Sequence, residues 1–346
     1  MANRAPFDLN GVIVSPGARQ TIDLPVSVLS DHTPVTMSVH VVHGSRPGPT
    51  LFVSAAVHGD EVMGVEVARR LLRAPQLDAL RGTLLVVPIV NSFGFLNRSR
   101  YLPDRRDLNR SFPGSGTGSL ASRLAHLFMR EIVGRSDFGI DLHSAATHRT
   151  NIPQIRISPS GDKIAKLADV FGAPVVITSS VREGSLRQSA HAAGVDVLLY
   201  EAGEGLRFDE LSARAGISGI LRVMHALRMV AAKGIPKASG TPVHATSSKW
   251  LRAPVGGLLR TLKPTGETIV SGETLGIISD PFGEVEIEIK SELSGIIVGR
   301  TNLPVVNEGD ALFHVALPQT RNAETTAAHL SAELKIDPLF DEDEII

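Results

Sequence analysis

Short apolar runs broken by polar bursts set the rhythm of this chain. Over residues 1–45, apolar and polar positions alternate without a helical period. Val12-Ile13-Val14, Ile22 to Val26 and Val35 to Val42 therefore predict β-strands. A turn cluster, Gly44 to Pro49, follows. From there to about residue 232, continuous apolar runs alternate with stretches of helical period. The runs at 50–57, 83–90, 138–142, 173–178 and 195–200 have the length expected of buried strands. Between them, Val65, Ala68, Leu71 and Leu72 share one face over 62–73, and Leu120, Leu124, Leu127 and Phe128 form a stripe over 119–134. Ile220, Met224 and Leu227 align over 210–232. This alternation predicts an α/β three-layer sandwich with a mixed, largely parallel sheet.

The texture changes after Lys233. Gly234 to Pro242 reads as a linker, and residues 243–318 give short β segments punctuated by glycine-led turns such as Gly256-Gly257, Gly272-Glu273 and Gly309-Asp310. The expected organisation is an N-terminal β segment (1–45) packed on a catalytic domain (46–235). A small all-β, barrel-sandwich-like domain (243–318) and a C-terminal tail (319–346) ending in Asp341-Glu342-Asp343-Glu344 follow.

Composition narrows the function classes. A chain of 346 residues with 42% hydrophobic positions can bury a sizeable core, and its formal net charge of −1 carries no electrostatic footprint for nucleic acid. There is no cysteine, so disulfides, thiolate metal sites and a cysteine nucleophile are excluded, and any metal must use His, Asp or Glu. The N-terminus, Met1 to Pro6, lacks the apolar core of a signal peptide, and no apolar run reaches membrane-spanning length. These features together lead to the expectation of a cytoplasmic protein that engages neither membranes nor nucleic acid.

The chemistry-bearing residues fall at strand ends. His58-Gly59-Asp60-Glu61 follows the 50–57 run directly, and His143 closes the 138–142 run. In a parallel sheet these ends share the edge where open α/β sheets place their ligand sites. His58, Glu61 and His143 can thus form the two-His, one-carboxylate set of a catalytic zinc with an open position for water. Taken singly, His58-Glu61 also reads as a solvated loop with a capping acid, and His143 as a hydrogen-bonded loop histidine. Asp141 is placed to accept from a ligand imidazole. Glu201 directly follows the 195–200 run, which favours it over Glu204 as a general base and acid. Five arginines lie between Arg98 and Arg110, and their planar forks suit carboxylate clamping or oxyanion stabilisation. Arg187, at the start of a predicted helix, is a further candidate for substrate contact, and an ordinary surface role is its alternative. No Gly-x-Ser-x-Gly elbow, phosphate cradle or dinucleotide fingerprint is present.

Four ordered segments resemble one family. These are His58-Gly59-Asp60-Glu61, Asp107-Leu108-Asn109-Arg110-Ser111-Phe112-Pro113-Gly114, Asp141-Leu142-His143 and Glu201-Ala202-Gly203. Over roughly 45–230 the chain is similar to the succinylglutamate desuccinylase/aspartoacylase family, within the zinc carboxypeptidase-like clan. The resemblance implies one Zn2+ per subunit on His58, Glu61 and His143, with Glu201 as general base and acid. It implies Asn109 and Arg110 on a substrate carboxylate, Arg100 polarising the scissile carbonyl, and Arg149 assisting in substrate binding. It also implies a barrel-like domain after the catalytic one, which can cover the active-site mouth.

The expected function is a zinc-dependent deacylase that cleaves the amide of an N-acyl amino acid or related small molecule by metal-activated water. Two other readings stand beside it. One is a metallocarboxypeptidase acting on small peptides, which needs an open cleft. The other is a catalytically silent metal- or ligand-binding protein. An exposed edge in the β module could pair subunits into a homo-oligomer.

Overall fold

Strands form where the apolar runs lie, and their order in space sets the site. The computed structural model describes residues 4–159 and 161–318, so the expected tail over 319–346 lies outside the described residues. A hairpin of β1 (Phe7–Leu9) and β2 (Val12–Val14) precedes two long strands, β3 (Arg19–Val28) and β4 (Pro34–His43). The strand–helix alternation begins with β5 (Arg46–Ala55), α1 (Met63–Leu72), β6 (Arg81–Val87), α2 (Ser92–Leu96), α3 (Leu120–Glu131) and β7 (Phe138–His143). It continues through β8 (Arg149–Ile157), α4 (Gly161–Phe171), β9 (Val175–Thr178), α5 (Leu186–Ala192), β10 (Asp196–Gly203) and α6 (Glu210–Ala226). Beyond α6 come only strands: β11 (Val243–Arg252), β12 (Gly257–Thr261), β13 (Thr268–Ile269), β14 (Thr274–Ser279), β15 (Glu286–Lys290), β16 (Gly295–Thr301), β17 (Val305–Val306) and β18 (Ala311–Pro318).

One mixed sheet of twelve strands runs in the order β13-β16-β18-β11-β9-β8-β10-β7-β5-β6-β4-β3. Alternate residues of its strands face two separate cores. On one face Leu51, Val53, Ala55, Ile140, Leu142 and Tyr200 pack against α1, α4 and α6. On the other, Phe52, Leu85 and Val87 pack against α3 and α5. Helices on both faces make the three layers, as the period-2 burial of the strands requires. The helix ends have local causes. The Ser119, Ser185 and Asp209 side chains accept from the backbone N–H three residues on and cap α3, α5 and α6. The helical pattern over 210–232 overruns the helix because Arg228 turns left-handed at φ 59°, and Met229 N–H bonds back to Met224 O.

The sheet is less parallel than the apolar runs suggest. Parallel pairing links β6, β5, β7 and β10 in one block and β8, β9 and β11 in another. The strand β8 lies between β10 and β9, antiparallel to the first and parallel to the second, and β3, β4, β13, β16 and β18 also pair antiparallel. Nor do the strands after residue 243 stand apart from the rest of the fold. β11 continues the main sheet beside β9, and β16 pairs with both β18 and β8, so β8, β9, β11, β18 and β16 close into a ring. Ile152, Val175, Ile177, Val243, Ala245, Ile296, Val298 and Ala316 form its apolar interior. The strands β15, β14, β12 and β17 form a separate four-stranded sheet. Among the described residues, no helix is long and apolar enough to cross a membrane.

Close packing at the centre leaves no room at Gly139 of β7, where an added Cβ would fall 2.1 Å from the Phe52 ring. Phe52 is fully buried and edge-on to Phe128, so it has nowhere to retreat. Gly139→Ala is expected to lose about 1–3 kcal/mol of stability through overpacking. Urea unfolding measures it, and an unchanged midpoint would contradict this packing.

Candidate active site

Three neighbouring parallel strands deliver the key side chains to one edge. In register, Ala55 of β5 lies beside Leu142 of β7, and His143 lies beside Glu201 of β10. After β5 the chain turns through Ala56 at φ 51°, and Gly59 then passes so close to Gly94 that a Cβ would sit 1.9 Å from its carbonyl carbon. Only glycine fits there, and the tight passage aims His58 and Glu61 at His143. One ligand atom from each of His58, Glu61 and His143 lies within 4.8 Å of the others.

The three are 3–4% exposed and tightly cross-bonded. Glu61 accepts from His58 Nδ1 at 2.7 Å and from His143 Nδ1 at 2.8 Å, and Ser144 N–H adds a third bond at 3.1 Å. Burial pushes the Glu61 carboxyl up, but the two imidazoles outweigh it and hold it well below the usual range. Burial opposes charge on the imidazoles as well; Glu61 and Asp107 overcome it at His58, and Asp141 and Glu61 at His143, so both rings are raised. Each outer nitrogen has its own carboxylate: His58 Nε2 reaches Asp107 at 3.1 Å, and His143 Nε2 reaches Asp141 at 2.7 Å. Asp141 is oriented in turn by the Ser54 hydroxyl at 2.7 Å. Imidazoles whose far nitrogens are tied to carboxylates, and whose near nitrogens converge with a carboxylate, fit a divalent cation with an open position.

A cavity of about 430 Å³ opens beside this trio. Arg100 borders the trio, 2.9 Å from Asp107 Oδ2 and 3.4 Å from Glu61 Oε1. A 3-10 turn, Leu108–Arg110, brings Asn109 and Arg110 to the wall, where Asn109 Oδ1 accepts from Leu186 N–H at 2.9 Å at the start of α5. Glu201 lines the same cavity, with its Oε2 held by Asn151 Nδ2 at 2.7 Å and by Arg156 at 3.5 Å. Arg149 stands over the Trp250 ring, 5.2 Å from its centroid. Arg100, Asn109, Arg110, Arg149, Arg187 and Glu201 thus share one cavity with the trio, and Arg98, Arg105 and Arg106 do not line it. Glu204 belongs to a different contact, accepting from His148 N–H and Asn302 Nδ2.

Sequence reasoning did not find Arg156, Trp250 or His314, all of which line the cavity. Asp107 was visible within its motif but without a task of its own. Trp250 and His314 are register partners of β11 and β18, and their rings stack at 4.7 Å and 6°. Nothing in the sequence pairs residues so far apart.

Comparison with known proteins decides the family. The succinylglutamate desuccinylase/aspartoacylase catalytic domain matches residues 47–227, over half the chain. The chain belongs to the succinylglutamate desuccinylase/aspartoacylase family. It is 25% identical over 283 residues to an N-alpha-acetyl-L-2,4-diaminobutyric acid deacetylase of Halomonas elongata, covering 78% of this chain and 82% of that protein. An aspartoacylase family protein of Mesorhizobium loti is 25% identical with a TM-score of 0.75, covering 92% of this chain and 100% of that one. A succinylglutamate desuccinylase from Silicibacter superposes at a TM-score of 0.77 and 22% identity, covering 87% and 95% of the two chains, and shares the fold. The product-bound ectoine utilization protein EutE of Ruegeria pomeroyi does so at 0.77 and 23%, with the same coverage. Trp250 and His314 lie outside the segment that this family's catalytic domain matches.

The carboxylates behind the imidazoles generate a prediction. Asp107→Asn and Asp141→Asn each remove a charged acceptor while keeping the side-chain shape. Each is expected to weaken divalent-metal binding by about 10- to 100-fold. Competition with a chromophoric chelator measures this, and unchanged affinity in both would contradict the assigned orientation of the rings.

Proposed function

We propose that the protein is a zinc-dependent hydrolase that cleaves the amide of an N-acyl amino acid or a related small molecule. The observation that carries this reading is Glu201, set level with His143 in register and facing the same cavity as the His58, Glu61 and His143 trio. Family membership and the deacetylase named among its relatives support amide hydrolysis. His58, Glu61 and His143 would hold one zinc ion, which supplies Lewis-acid polarisation and lowers the pKa of water.

The chain's own residues divide the remaining work. Glu201 is anchored through Oε2, which leaves Oε1 to take a proton from the attacking water and return it to the leaving amine. Arg100 is held at the edge of the trio by Asp107, where its guanidinium can stabilise negative charge growing on the carbonyl oxygen. Asn109 and Arg110 grip a substrate carboxylate, and Arg149, braced on Trp250, closes the far side. Ser248, Trp250 and His314, from the strands after residue 243, line the cavity as well. A cavity of about 430 Å³ suits a small molecule, which weighs against the peptidase reading. A carboxylate positioned like Glu201 weighs against a silent binding protein.

Glu201→Gln is the test. It is expected to lower kcat by about 10²- to 10⁴-fold with zinc content unchanged and KM within a few-fold. Release of acetate or succinate from a panel of acyl amino acids, with zinc present, is the readout. Full activity in the variant, or no hydrolysis of any panel member by the wild type, would sink the reading.

A further inference from the structure

We infer that Asn151 and Gly299 are positioning residues for Glu201, so that the strands after residue 243 set the aim of the general base. The inference rests on the hydrolase reading for the task of Glu201, and goes beyond it by giving a task to two residues that act only through that carboxylate. It starts from an irregularity in β8. Glu201 of β10 lies opposite Gln154, yet Gly203, two residues on, lies opposite Asn151, three residues back, so β8 carries one extra residue across this step. The extra residue falls at Ile152-Pro153, where proline has no N–H to give to the ladder. Opposed residues share a face of a sheet, and a slip of one residue reverses the faces. An even register would put Ile152 opposite Gly203 and turn Asn151 away. The bulge turns Asn151 to the face of Glu201 instead, and Gly203, having no side chain, leaves the diagonal between them open.

The contact made in this way is short and directed. Asn151 Nδ2 donates to Glu201 Oε2 at 2.7 Å, and Asn151 is 7% exposed. The rival for that oxygen is Arg156, 3.5 Å away, whose buried Nε has no partner. A guanidinium with a free donor beside a carboxylate favours a two-pronged pair unless something holds the carboxylate apart. A Glu201 drawn fully onto Arg156 would have both oxygens engaged and neither left to take a proton. The amide of Asn151 holds Oε2 short of that pair and keeps Oε1 for the chemistry.

Asn151 is itself held from β16. Gly299 lies opposite it in register, and a Cβ there would sit 2.3 Å from Asn151 Oδ1 and 2.9 Å from Thr150 O. With glycine at 299 the amide packs directly on the β16 strand, Oδ1 toward Gly299 and Nδ2 on the carboxylate. That orientation follows from the chemistry of the pair, since an ionised carboxylate only accepts and must be met by the NH₂ end of the amide. Any side chain at 299 would push the amide off this line. β8 thus stands between the base on β10 and the ring that β16 closes, and passes the position of one to the other.

Crystal structures and steady-state kinetics of Asn151→Ala and Gly299→Ala in the full-length protein test this. In both variants Glu201 is expected to leave its place and pair with Arg156 through both oxygens. The expected loss in kcat is about 10- to 100-fold, with KM and bound metal unchanged. A residue that works only through Glu201 has nothing left to do once that carboxylate is gone. Asn151→Ala combined with Glu201→Gln should therefore stay within about twofold of Glu201→Gln alone. Glu201 unmoved in either crystal, an unchanged kcat in Asn151→Ala, or losses that add in the double variant would overturn the inference. Gly299→Ala crowds the backbone as well as the amide; should it fail to fold, Asn151→Ala, which only removes atoms, decides. Hydrolysis of acyl amino acids by the wild type together with an unmoved Glu201 would leave the hydrolase reading standing. No hydrolysis by the wild type would sink that reading, and the place of Glu201 in the Asn151→Ala crystal would still decide this one.

Discussion

One buried carboxylate organises this protein. Glu61 sits between the imidazoles of His58 and His143, which are buried as deeply as it is, and accepts from both at 2.7–2.8 Å. Three ionisable groups removed from water together are tolerable only if each is paired and hydrogen-bonded. Asp107 and Asp141 complete the pairing from behind, and Arg100 and Ser54 orient those acids in turn. The network reaches from the end of β5 to the 98–112 loop and the end of β7. Small errors in any of these segments would leave a buried charge without its partner. The tight contact between Gly59 and Gly94 serves the same end, since it brings the loop that carries Asp107 against the turn that carries His58.

The strands after residue 243 supply the second constraint. The pairing of β16 with β8 places Gly299 beside Asn151, so the residue that holds Glu201 is itself held by the ring of strands. An added Cβ at Gly299 would lie 2.3 Å from Asn151 Oδ1, which shows how closely the two strands meet. The same ring carries Trp250 and His314 to the cavity lining. The residues at the strand ends and the Trp250–His314 pair thus reach one cavity from different parts of the chain.

Much of the site could be read from the sequence because the residues that carry chemistry follow apolar runs. His58, His143 and Glu201 each stand at the end of a run of buried positions, and parallel strands put such ends on one edge. The strand β8 was hidden for a physical reason. Arg149–Ile157 contains Pro153 and turns Asn151 and Arg156 toward the cavity, so neither a clean alternation nor a continuous apolar run survives. Missing it also made the sheet look more parallel than it is. The ring of strands and the Trp250–His314 stack depend on pairings between residues far apart in the chain, and local pattern holds no information about those.

The most direct test of the central claim is anomalous scattering at the zinc edge from crystals of the protein grown with zinc. The account predicts one peak per chain, bound by His58, Glu61 and His143 at about 2.0–2.2 Å. No peak, or a peak bound by other residues while Glu61 keeps both imidazoles, would contradict it.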